Sequence, residues 1–83
     1  MKVTLKLYAS LGRFLPDGAQ RNAIRLDVAD DTTIVALLDR YNVPREACHL
    51  VLINGLFQPP VVRASVALKD GDELAVWPPV AGG

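Results

Sequence analysis

Few side chains in this sequence are placed to do chemistry. The single cysteine, Cys48, and the single histidine, His49, are neighbours. On an extended segment they would point to opposite faces and could not act together as nucleophile and base. Cys48 is therefore expected to pack as a small hydrophobe, and His49 to lie at the surface. The acidic stretch Asp70, Asp72 and Glu73 invites a cation. However, Gly71 separates the two aspartates and no further spaced ligands follow, which is the chemistry of a turn. Lys2, Lys6, Arg25 and Lys69 are scattered, and Tyr8, Phe14, Tyr41, Phe57 and Trp77 do not interleave with them as in an RNA-reading surface. The single glycines of "DGAQ" and "DGDE" make no phosphate-cradling loop.

The remaining candidate is the closing segment, "WPPVAGG", Trp77 to Gly83. No side chain from Leu74 onward is charged. Pro78 and Pro79 restrict the chain to an extended path, and Gly82 and Gly83, lacking a Cβ, can enter a channel too narrow for any side chain. The reactive group would then be the carboxylate of Gly83. A carboxylate is a poor electrophile, so a second protein must activate it, for example as an acyl-adenylate open to a sulfur or amine nucleophile. In that scheme the chain is a carrier and not itself a catalyst. Trp77, Pro78, Pro79, Val80 and Ala81 form an apolar approach to the glycines, suited to docking on a partner.

Several elements must position this segment. Val3, Leu5 and Leu7 alternate with Thr4 and Lys6, the period of a strand with one buried face. Gly12, Pro16, Asp17 and Gly18 allow at most a helical turn before a second alternating strand at Ile24, Leu26 and Val28. Ile34, Leu37, Leu38 and Tyr41 then fall on one helical stripe, with Thr33 as N-cap and Asp30 and Asp31 just before it. Asn42 and Pro44 stop that helix. The sequence "HLVLINGLFQPP" reads as strand, type I′ turn at Asn54-Gly55, and a brief edge strand closed by Pro59 and Pro60. A turn at Asp70-Gly71-Asp72 precedes a last strand from about Glu73 to Trp77. The order strand, strand, helix, strand, short strand, strand defines an α+β domain over residues 1–77, with 78–83 as its tail. By alternation, Ala75 and Trp77 lie on the sheet face opposite Leu74 and Val76.

Composition agrees. Eighty-three residues, 51% of them hydrophobic, suffice for one core. Nine basic and nine acidic side chains cancel, which argues against nucleic acid as a partner. One cysteine precludes an internal disulfide framework, and "MKVTLKLYAS" lacks the apolar core of a signal peptide. With no run able to span a bilayer, a cytoplasmic protein without membrane partners is expected.

These residues carry a resemblance. "LKDGDELAVWPPVAGG", Leu68 to Gly83, resembles the carboxyl end of the molybdopterin-synthase small subunit, in the MoaD/ThiS family of sulfur carriers. "INGLF" at Ile53 to Phe57 is similar to the family's "VNG" hairpin, and "TIVALL" at Thr33 to Leu38 to its helix-opening "TVxxLL". The shorter chain between Tyr41 and Leu50 is closer to the ThiS branch, while "PPV" before the glycines is closer to the MoaD branch. Pro59-Pro60 differs from what is expected of a typical member.

The resemblance implies a ubiquitin-like β-grasp: a mixed sheet of four to five strands, first and last adjacent at its centre, with one main helix across one face. It further implies that an E1-like enzyme of the MoeB/ThiF type adenylates Gly83, using its own ATP and magnesium. A sulfurtransferase or cysteine desulfurase would supply sulfur to make the thiocarboxylate. The acceptor would be a MoaE-like large subunit, making the chain the small subunit of a molybdopterin synthase, or a thiazole synthase. No cofactor or metal is expected on the chain itself. Phe57 and residues 77–81 would contact partners, Gly83 would carry sulfur and Gly82 would permit access. The same tail chemistry is open to a ubiquitin-like protein modifier.

Overall fold

The computed structural model describes residues 1–80. Five strands form one sheet: β1 (Lys2–Leu7), β2 (Ala23–Asp27), β3 (Leu50–Ile53), β4 (Leu56–Phe57) and β5 (Glu73–Trp77). Their spatial order is β2-β1-β5-β3-β4. β1 and β5 pair in parallel at the centre, and the other pairings are antiparallel. Among the described residues a single α-helix, α1 (Ile34–Arg40), crosses one face. This is the expected ubiquitin-like β-grasp.

The alternation within each strand decides what faces α1. Val3, Leu5 and Leu7 share one face of β1; Leu5 and Leu7 pair with Leu74 and Val76 of β5, and those pair with Ile53 and Val51 of β3. All seven are buried and join Ile34, Leu37 and Leu38 in one core. At seven residues α1 has little stability of its own and depends on this burial. Its first turn is closed by Thr33, whose Oγ1 accepts the Ala36 amide at 3.1 Å, the N-cap bond anticipated for it.

The turns follow their residues. Asn54 and Gly55 have φ of 50° and 83°, both in the left-handed region that a type I′ hairpin requires. Asn54 also ties this turn to the start of β5: its Nδ2 donates to Asp72 Oδ1 at 2.8 Å and its Oδ1 accepts the Glu73 amide at 2.9 Å. Asp70 and Asp72 accept the amides of Lys2 and Lys69 at 2.7 and 2.8 Å. The acidic turn thus fastens β5 beside β1. Between β1 and β2, residues Ala9–Phe14 form a 3-10 helix, somewhat longer than the turn expected there.

Candidate functional site

β5 lies between β1 and β3, so the point at which it ends is held from both sides. The Tyr8 amide donates to Val76 O at 3.1 Å, and the His49 amide donates to Trp77 O at 3.0 Å. The Tyr8 and Trp77 rings stack, with centroids 4.3 Å apart and planes 8° from parallel. Two prolines follow, neither of which can donate a ladder hydrogen bond. Pro78 is half-buried, whereas Pro79 and Val80 are exposed. The site residues Ala81, Gly82 and Gly83 lie outside the described residues.

Residues paired in register share a sheet face. Trp77 pairs with Leu50, Ala75 with Lys6 and Leu52, and Leu52 with Phe57. Trp77 and Phe57 therefore stand on the same face, opposite α1, joined by Leu50, Leu52 and Ala75. Leu50, Leu52 and Trp77 are half-buried, Phe57 is 54% exposed, and Ala75, the small residue between Lys6 and Leu52, is buried. The placement of Ala75 and Trp77 away from Leu74 and Val76 follows the alternation. Leu56, beside Phe57, is also exposed.

The other half of this face is charged. Lys6 Nζ lies 3.0 Å from Glu73 Oε1, and Lys2 Nζ lies 3.4 Å from Asp27 Oδ2. The hydrogen bond to Glu73 raises the Lys6 pKa above its ordinary value. The amino terminus, 3.3 Å from Asp27 Oδ1, lowers that carboxyl's pKa, with Lys2 reinforcing it. An apolar patch on β3, β4 and β5 is thus bordered by the polar face of β1 and β2, the pattern of an apolar contact centre with a polar rim.

Cys48 and His49 sit just before β3 and form no dyad. Cys48 is buried, its Sγ donates to Pro44 O at 3.4 Å, and burial pushes its thiol pKa up. A buried, protonated thiol is a poor nucleophile. His49 is exposed, as expected, and it is its backbone amide that matters here. Among the described residues, no three His, Cys, Asp or Glu side chains gather as metal ligands, and no helix is long and apolar enough to cross a membrane.

Sequence reasoning singled out Phe57 and Trp77 but missed Tyr8, Leu50 and Leu52. The signal for the two leucines was present: "LVLI" is apolar at every position, so one of its faces had to remain outside a single-layer core. The role of Tyr8 depends on pairing with the far end of the chain and has no local signature.

The sequence matches the ThiS family over residues 18–83. The chain belongs to the ThiS family. No curated protein matches it. Among solved structures, this ThiS-family chain is similar to SAMP1 from Haloferax volcanii, with 28% identity, all of both chains covered and a TM-score of 0.66. A second structure, of H. volcanii small archaeal modifier protein 1, has 27% identity over 95% of this chain and 98% of that one, with a TM-score of 0.67. A structure of the complex of subunits 1 and 2 of molybdopterin-converting factor from Helicobacter pylori shares the fold, with 21% identity, full coverage of both chains and a TM-score of 0.60.

Proposed function

We propose that this ThiS-family protein carries sulfur as a thiocarboxylate on Gly83 and serves molybdopterin biosynthesis. The observation that supports it most is the delivery of the tail: the central strand ends at Trp77, clamped by Tyr8 and His49, beside an apolar sheet face. The family match also runs through the diglycine to residue 83.

The tail itself supplies only a carboxylate, so the chemistry belongs to its partners. An E1-like adenylating enzyme docks on the face formed by Trp77, Leu50, Leu52 and Phe57 and receives residues 78–83. A Gly83 carboxylate oxygen attacks the α-phosphorus of magnesium-bound ATP, and pyrophosphate leaves. A persulfide carried by a sulfurtransferase or cysteine desulfurase attacks the acyl carbon and expels AMP, and a thiol reductant then cleaves the acyl disulfide to leave the thiocarboxylate and a mixed disulfide. The thiocarboxylate then donates its sulfur within a large synthase subunit. Gly82 has no side chain to obstruct either channel. The tail motif "PPVAGG" favours the molybdopterin branch over a thiazole synthase.

A second reading, protein modification, is supported by the similarity to proteins named as archaeal modifiers. A lysine amine attacking the same activated Gly83 would form an isopeptide and release AMP.

Intact-mass spectrometry after incubation with an adenylating enzyme, ATP and a sulfur donor tests the proposal. The expected result is the mass increment of one oxygen replaced by sulfur, retained after removal of the enzyme. No increment with any cognate activating enzyme overturns the carrier reading, and conjugates of high mass with cellular proteins favour the modifier.

A further inference from the structure

Among the described residues, Arg63 is the one buried charged side chain, 7% exposed. No described carboxylate pairs with it. Burying a guanidinium is costly unless its donors are satisfied. Arg63 meets this by donating to three carbonyls: Nε to Gln58 O at 2.8 Å, Nη1 to Cys48 O at 2.7 Å and Nη2 to His49 O at 3.3 Å.

The bond to Cys48 leads to the tail. The Cys48 carbonyl and the His49 amide belong to one peptide group, and that same amide donates to Trp77 O at 3.0 Å, with Ala47 O a second acceptor at 3.2 Å. The Trp77 carbonyl is in turn part of the peptide joining Trp77 to Pro78. A continuous series of hydrogen bonds thus runs from the guanidinium, through the 48–49 peptide, to the bond from which the tail departs. Donation to the carbonyl side of a peptide polarises its N–H, so the two bonds strengthen each other.

We infer that Arg63 is a positioning residue that sets the direction in which the tail leaves the sheet. This rests on the carrier reading and assigns it a residue distant in sequence from the reacting carboxylate. Pro78 and Pro79 restrict the start of the tail to an extended path, so a small tilt at Trp77 redirects the chain that follows it. Docking is spread over Leu50, Leu52 and Phe57 as well as Trp77 and tolerates a small tilt, whereas attack on ATP depends on the direction of the tail.

Arg63→Lys keeps the charge but loses the planar fork that serves three acceptors, and Arg63→Met removes the donors. Because the Arg63 carbonyl also accepts the Val35 amide at the start of α1, a stability control is needed. Val28→Ala shortens a buried side chain in the segment after β2, away from the tail.

In Arg63→Lys, the His49 amide should exchange with solvent deuterium on the order of tenfold faster, with the Tyr8 amide unaffected. In ATP–pyrophosphate exchange with the activating enzyme, kcat should fall on the order of tenfold or more while KM stays unchanged. Unchanged His49 exchange, or a kcat loss no greater than in a Val28→Ala variant of matched Tm, overturns the inference. Should the wild-type chain not be adenylated at all, the carrier reading fails. The His49 exchange rate still upholds or rejects the positional role of Arg63 by itself.

Discussion

The indole of Trp77 lies flat on the phenol ring of Tyr8, with centroids 4.3 Å apart, at the point where the last strand gives way to Pro78. One ring comes from the residue following β1 and the other from the last residue of β5. The pair therefore forms only when the two ends of the chain are brought together. It covers the end of the sheet while leaving Trp77 only half-buried, next to Leu50 and the apolar face.

Trp77→Ala should fold normally by circular dichroism and lose affinity for the activating enzyme. A central aromatic anchor contributes about 2 kcal/mol, roughly thirtyfold in Kd. Tyr8→Ala removes only the stacking partner, about 0.5–1.5 kcal/mol, and should red-shift Trp77 fluorescence. Calorimetric titration measures both variants. A Trp77→Ala chain that binds and accepts sulfur as the wild type does would reject the anchor.

Appending one residue after Gly83, or deleting Gly82 and Gly83, should abolish thiocarboxylate formation while leaving Tm unchanged, because neither change touches the core of strands and helix. Mass spectrometry and thermal melts on the same preparations check the two halves of this expectation. Full sulfur loading of the extended chain would move the reactive group away from Gly83.

Leu5 is fully buried in β1, between Leu74 of β5 and Ile24 of β2. Leu5→Ala should destabilise the protein by about 2–5 kcal/mol, a large part of a small domain's total. Urea unfolding should show a lower midpoint with a similar m-value.

The lowered pKa of Asp27 has a defined signature. A carboxyl whose folded pKa lies below its ordinary 3.8 contributes stability that is complete above that value and is lost as pH falls through the folded pKa. Asp27→Asn should therefore flatten the acid limb of the Tm-against-pH curve below about pH 4 and lessen its dependence on salt, since Asp27 is exposed. An acid limb identical to that of the wild type would show that the amino terminus and Lys2 do not hold this carboxylate in solution.

Much of the molecule was legible residue by residue. The alternation of Val3, Leu5 and Leu7, the helical stripe from Ile34, the Thr33 cap and the Asn54-Gly55 turn each depend on neighbours within a few positions, where geometry permits few choices. The chemistry proposed for the closing "WPPVAGG" likewise rests on residue type: prolines that restrict the chain and glycines without side chains. Tertiary structure alone decided which strands became neighbours. The parallel pairing of β1 with β5 stacks Tyr8 on Trp77, and the register of β3 with β4 and β5 places Phe57 on the face that carries Trp77. It also decided that Arg63, an ordinary surface residue by type, is buried beneath the 48–49 peptide and connected through it to Trp77. Such contacts join segments far apart in the chain, and they are selected by the closing of the whole core around α1, which no local run of residues encodes.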